Sequence, residues 1–163
     1  MTRRLIIALV SLTILLLQTT LVPFIAVGTI VPDLVLIWVI ALGIAYGQIT
    51  ASTAGFILGL ALDVLAGDDG MLGLSSLCKA VAGFVAGFTF NENKTIQSLS
   101  SAQFPLVVAI VSLVHNLLYF VIFLQGTDIS WNDAIVRHGI PATAYTVLVA
   151  LIPMFIMARR HRS

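Results

Sequence analysis

Charged residues leave four long gaps in this chain. Uncharged runs cover Leu5–Pro32 (28 residues), Leu34–Leu62 (29), Thr95–Thr127 (33) and His138–Ala158 (21, with His138 counted as neutral). A helix that crosses a bilayer needs about 20 predominantly apolar residues, so each run reads as a span or as fused spans. Backbone amides in lipid must be satisfied within the segment, which makes each span a helix. Span one is predicted over Leu5–Val22 and closes at Pro23. Phe24–Val31 is apolar but carries Gly28 and ends at Pro32, so it reads as a non-polar connection on the outer surface. Leu34–Leu62 is too long for one span and tight for two. Gly47-Gln48 breaks it, and Thr50 can cap the second half. Two short helices result, Pro32–Tyr46 and Thr50–Ala66. Pro32 suits a first helical turn, and Asp33 favours the positive end of the helix.

Gly67-Asp68-Asp69-Gly70 reads as a turn before span four, Met71–Phe90. A polar loop runs from Asn91 to Gln103, and span five covers Phe104–Leu124. Ser130-x-x-Asp133 has capping-box spacing. It is expected to start a short interfacial helix carrying Trp131, a residue type enriched at headgroup depth. Span six covers Pro141–Ala158. The predicted architecture is an all-α integral membrane protein, one domain over residues 1–163, built as a compact bundle of six transmembrane helices.

Composition agrees with lipid as the solvent. Of the 163 residues, 60% are hydrophobic and 9% charged, against about 25% charged in a typical globular protein, and mean hydropathy is +1.10. These values exclude a disordered chain, a secreted disulfide scaffold, a nucleic-acid binder and a sizeable soluble catalytic domain. Cys78 is alone, so it reads as a small apolar filler. Arg3 and Arg4 before an apolar run look like a signal peptide. The run exceeds a typical h-region and no A-x-A-like site comes after it, so it reads as an uncleaved first span.

Charge position sets the orientation. Six spans put both termini on one side, and Arg3, Arg4, Lys94, Arg159, Arg160 and Arg162 then share the cytoplasm, as the positive-inside rule expects. Asp33, Asp68, Asp69, Asp128 and Asp133 collect opposite. Reading Leu34–Leu62 as one span would put a basic terminus outside.

Three glycine pairs at four-residue spacing, Gly43/Gly47, Gly55/Gly59 and Gly83/Gly87, fall on spans two, three and four. Glycine lets helices approach closely in lipid. The pairs serve either packing within the chain or a homodimer seam or partner groove. Asp63 and Lys79 lie on helices joined by a short turn, and the spacing predicts an Asp63–Lys79 contact. Intramembrane charges point to transport, a proton relay or partner binding, or to a pair that fixes the hairpin. Lys79 could also snorkel to the surface. His115, Asn116 and Tyr119 form a polar cluster in span five, with His115 and Tyr119 on one face. Gln18, Thr19 and Thr20 form another in span one. Such groups line a cavity, bind a partner helix or, more often, bond to neighbouring helices for about 0.6 kcal/mol each.

No catalytic or nucleotide motif is present. The three histidines sit at different depths and offer no metal-ligand spacing. Asp68-Asp69 could bind a divalent cation but reads first as a turn. No cofactor is implied.

Gly55-Phe56-x-x-Gly59-Leu60-x-x-Asp63, with Gly67, Gly73-Leu74, Leu77, Gly83 and Gly87 after it, resembles the bacterial rod shape-determining MreD family. Chain length, Pro32-Asp33 and the basic ends agree. The resemblance implies a non-enzymatic inner-membrane scaffold of the cell-elongation machinery that binds MreC. It implies indirect neighbours in MreB, a SEDS glycosyltransferase and a class B penicillin-binding transpeptidase. At fold level it also implies similarity to the six-helix substrate-binding subunits of energy-coupling-factor vitamin transporters. No family role attaches to Lys79, Cys78 or Asp68-Asp69. A solute-binding transporter subunit is the rival reading, weakened because helix one lacks a small-x-x-x-small pattern: Ala8 pairs with Leu12 and Ser11 with Leu15. An intramembrane hydrolase is disfavoured by the missing motifs.

Overall fold

Pro32 and Asp33 open the central helix of the molecule, and the rest packs around it. The computed structural model describes residues 2–66, 71–125 and 131–162. Helix α1 (Thr2–Thr20) runs to a short 3-10 turn, Val22–Ile25, with Pro23 in it. Leu5, Leu9, Leu12 and Leu16 on α1 are each more than half exposed, as suits a helix whose solvent is hydrocarbon. The hydroxyls of Thr13, Thr19 and Thr20 donate to carbonyls one turn back, so none of these donors is left bare in lipid. The connection after the 3-10 turn folds tightly at Gly28, where φ is +65° and Val27 and Ile30 exchange backbone hydrogen bonds of 3.0 and 3.2 Å. The Tyr145 hydroxyl donates to the Ile25 carbonyl at 2.7 Å and pins this connection to the last helix.

Helix α2 (Leu34–Tyr46) has only 13 residues, about 20 Å at 1.5 Å per residue. Val35, Leu36, Ile37, Val39, Ile40, Leu42 and Ile44 are all buried. Burial at consecutive positions means every face is covered, the mark of a core helix. It ends at Gly47, whose φ of +83° turns the chain straight into α3 (Gln48–Ala66). Arg3 lies 4.7 Å over the Tyr46 ring, while Gln18 bonds to Pro32 and Leu34, so α1 and α2 run antiparallel.

The α3 helix and α4 (Leu74–Ala86) are also antiparallel, and their glycines interlock. The missing Cβ of Gly55 faces the Lys79 backbone, that of Gly59 faces Ser76, that of Gly83 faces Ala51 and that of Gly87 faces Gln48. Gly43 on α2 meets Ala86 and Gly87, and Gly47 rests on the Phe90 ring. The Cβ positions of all six glycines singled out by spacing face atoms of this chain. After α4 the chain makes 3-10 turns at Gly87–Thr89 and Glu92–Lys94 and continues into α5 (Thr95–Leu99), bent by 84° from α4. The polar loop expected over Asn91–Gln103 thus contains a helix of its own.

Helix α6 (Gln103–Phe123) contributes Phe104, Val107, Val108 and Val111 to the main core beside Leu36, Ile40 and Ile44. Helix α7 (Trp131–Ala134) passes through a π-helical turn, Ile135–Gly139, into α8 (Ile140–Arg162). The predicted interfacial helix and span six are consequently one continuous helical run. The expected turn at Gly67–Gly70, with the Asp68-Asp69 carboxylates, lies outside the described residues, as does Ser130 of the expected cap.

The architecture is all-helical. Among the described residues, four helices are long and apolar enough to cross a membrane, or five if the bent α4–α5 pair counts as one span. Six spans were expected, the second of them short; that helix, α2, falls below the length of a full span and is enclosed by protein, so its length is not set by the roughly 30 Å hydrocarbon core.

Candidate functional site: a polar cavity at the end of the bundle

Asp33 makes two uses of one carboxylate. Its Oδ1 accepts from the Leu36 backbone N–H at 2.7 Å and caps α2. Its Oδ2 lies 2.7 Å from Lys79 Nζ on α4. The Lys79 side chain is 5% exposed and that of Asp33 23%, so the pair sits where isolated charge is costly. Lys79 also donates to Ser75 Oγ at 3.3 Å.

Neighbouring elements hold this pair in place. The Gln18 amide staples α1 to the start of α2, donating to Pro32 O at 3.2 Å and accepting from Leu34 N–H at 2.7 Å. Asp33 N–H donates to Thr146 Oγ1 on α8 at 3.2 Å. On α6, Asn116 Nδ2 donates to Gly139 O at 3.1 Å, at the end of the π-helical turn, and to Thr143 Oγ1 at 2.8 Å. Asn116 Oδ1 lies 3.4 Å from His115 Nδ1. The His115 ring stacks on Tyr119 with centroids 6.5 Å apart.

Gln18, Asp33, Ser75, Lys79, His115, Asn116 and Tyr119 line a cavity of about 550 Å³, with Asp63, His138 and an apolar rim that includes Leu62, Leu72 and Leu74. The cavity lies at the end of the bundle away from Arg3. All five intramembrane polar residues singled out in the sequence, Asp63, Lys79, His115, Asn116 and Tyr119, line it.

The expected Asp63–Lys79 contact does not form. Gly59 meets Ser76 and Gly55 meets Lys79, so Asp63 is level with Gly73, well short of Lys79. The first N–H groups of a helix lack intrahelical partners. Asp63 Oδ2 supplies one, accepting from Gly73 N–H at 2.9 Å and from Ser76 N–H at 3.4 Å. Lys79 turns instead to Asp33.

Sequence reasoning gave Asp33 a helix-dipole role and missed the ion pair. It also missed Thr143 and Thr146, whose signal is a pair of hydroxyls three apart on an apolar helix. Of the span-one cluster, Gln18 reaches the cavity, whereas Thr19 and Thr20 bond to their own helix. Cys78 is fully buried.

Replacing Gln18 with Leu is expected to lower stability by about 1–3 kcal/mol, because Leu34 N–H and Pro32 C=O both lose their partner. A thermal melt of the purified protein measures it, and a wild-type midpoint would show that the staple adds nothing.

The arrangement places the Asp33–Lys79 ion pair, Asp63, two histidines and an amide around one cavity. The family model for the rod shape-determining protein MreD matches residues 1–160. Comparisons with curated proteins and with solved structures give no match.

Proposed function

The chain belongs to the MreD family of rod shape-determining proteins, and on that footing we propose that it is a non-enzymatic scaffold of the cell-elongation complex. Membership carries a role in rod shape and a place in the membrane, in a family of structural membrane proteins outside the known enzyme families. The finer reading is ours. The chain crosses the bacterial inner membrane six times with both termini cytoplasmic. It binds MreC through that protein's transmembrane helix and juxtamembrane segment. Through MreC it joins MreB, the SEDS glycosyltransferase and the class B transpeptidase, and so helps control peptidoglycan synthesis.

The family match over residues 1–160 is the observation that carries this reading. It favours the scaffold over the vitamin-transporter subunit. Two structural facts support the layout. Arg3 and Tyr46 meet at one end of the bundle, and the α4–α5 junction with Lys94 comes just after Gly87, which packs on Gln48 at that same end. Basic residues concentrated at one end are what the positive-inside rule requires. Because the glycine seam is closed, a partner helix would meet the outer faces of the bundle, such as the lipid-exposed leucines of α1.

MreC cut down to its transmembrane helix and juxtamembrane segment is expected to co-purify with this protein from membranes. Loss of that complex would overturn the proposed binding mode. Reporter fusions are expected to place both termini in the cytoplasm, and a periplasmic signal from either would overturn the six-span layout.

A further inference from the structure

We propose that a slot between α1 and α8, floored by α2, holds one acyl chain of a membrane phospholipid, which enters from the Arg3 end of the bundle. This goes beyond the scaffold role and does not depend on it.

Helix α2 is covered more thinly along one stripe than elsewhere. Leu34, Trp38, Ala41 and Ala45 are half-buried among buried neighbours, and their spacing puts them on one face. Helix α1 packs on α2 and α3, and α8 packs on α6, α2 and α5. Over the stripe they leave a slot of about 250 Å³, walled by Leu17 of α1 and by Val149, Pro153 and Met157 of α8, with Trp38 and Ala41 in its floor.

Chemistry makes the slot a place for hydrocarbon. Every residue that lines it is apolar in its body. The one side-chain N–H among them, on the Trp38 indole, donates to Ser11 Oγ at 2.8 Å, so none is left for a polar guest. Apolar cavities of about 150 Å³ stay free of water and take hydrocarbon guests. A void without a guest forfeits the dispersion contacts of its lining.

Shape selects the guest. Val149 to Met157 covers about 12 Å at 1.5 Å per residue, which gives the slot a section of about 20 Å². An α-helix with its side chains is 10–12 Å across, or roughly 80–110 Å² in section, and does not fit. A single polymethylene chain does, and the bilayer supplies it.

Hydrogen bonds fix the way in. At the end away from Arg3, Gln18 bonds to Pro32 and Leu34 and joins α1 to α2. Asp33 N–H donates to Thr146 Oγ1 and joins α2 to α8. The Tyr145 hydroxyl donates to Ile25 O and joins α8 to the connection after α1. The flanking helices are thus fastened together at that end, and the slot runs from Val149 to Met157 toward the other. Trp38 lies about 12 Å along α2 from Tyr46, at the Arg3 end, so an entering chain meets it with its distal half.

Fluorescence quenching tests this. Trp131→Phe leaves Trp38 as the only tryptophan of the full chain. This parent is reconstituted in vesicles of phosphatidylcholine whose chains carry bromine, a contact quencher, near the methyl end or near the carboxyl end. Bromine near the methyl end is expected to lower Trp38 fluorescence at least twofold against unbrominated vesicles, and more than bromine near the carboxyl end. Ala41→Phe and Val149→Phe fill the slot from floor and wall, and each is expected to restore at least half of the lost fluorescence. Should Ala41→Phe fail to fold, Val149→Phe on α8 carries the comparison; should neither fold, the parent decides alone. A side chain from a second copy seated in the slot would shield Trp38. Quenching below twofold, stronger quenching from the carboxyl end, or unchanged quenching in a folded variant would overturn the proposal.

Discussion

Replacing Lys79 with Met is expected to destabilise the protein by about 3–5 kcal/mol, the range found when one member of a buried ion pair is removed. The substitution keeps most of the side-chain volume, so a cavity contributes little. What remains is the Asp33 carboxylate, which has lost its only salt-bridge partner among the described residues. Its other oxygen still caps α2 through Leu36 N–H, so the residue cannot swing to water without uncapping the central helix. Charge and cap are locked together, and that coupling makes the single substitution costly.

A second substitution separates the pair from general damage to α4. Asp33→Asn retains an oxygen for Leu36 N–H but carries no charge. In the double variant neither member of the pair is left charged and unpaired, and a buried ion pair replaced by neutral groups is often close to neutral in stability. The double variant is therefore expected to recover more than half of the loss caused by Lys79→Met. Thermal melts of the four proteins in one detergent measure the coupling. A double variant no more stable than Lys79→Met would show that the ion pair is not the source of the loss.

The same residues show where sequence reasoning reached and where it stopped. Pro32, Asp33 and Gly47 bound α2 because each has a local chemistry: Pro32 precedes the helix, Asp33 caps it, and Gly47 adopts a positive φ. Local rules need no knowledge of neighbours. The five polar residues were legible as a group, since polar side chains in apolar helices seek one another or a cavity. Their pairing was not legible. It depends on how far α4 slides along α3, and that register is set by which glycine meets which backbone atom. A slide of about two turns, roughly 10 Å at 1.5 Å per residue, would bring Asp63 level with Lys79. With Gly59 against Ser76, it places Asp63 at the mouth of α4 as a cap. The enclosure of α2 was not legible for a related reason. Hydropathy reports that a segment avoids water, and α2 does so by burial in protein. The helix over Thr95–Leu99 packs on α2, α6 and α8, and the π-helical turn before α8 packs on α6, contacts that no window of residues contains.

Gly83→Ala is expected to disrupt the protein through one added methyl group, and no change of a neighbouring side chain should rescue it. A Cβ at Gly83 would lie 2.5 Å from the Ala51 carbonyl oxygen and 2.6 Å from its carbon. Those atoms belong to the backbone of α3, so relief requires the two helices to part along a seam that Gly55, Gly59 and Gly87 also hold closed. Overpacking a core typically costs about 1–3 kcal/mol and occasionally more; rigid backbone on both sides puts this site at or above the top of that range. Gly43→Ala is the informative contrast. Its nearest obstacle is the Ala86 Cβ at 2.8 Å, with the backbone at 3.0 Å. Pairing it with Ala86→Gly removes the closest atom, and partial recovery is expected, reduced by roughly 1 kcal/mol for a glycine inside a helix. Yield of folded protein and melting temperature read both sites. A wild-type melting temperature for Gly83→Ala would mean that α3 and α4 are farther apart than the glycine register places them. The position of Asp63 at the head of α4, and with it the identity of the partner of Lys79, would then need another explanation.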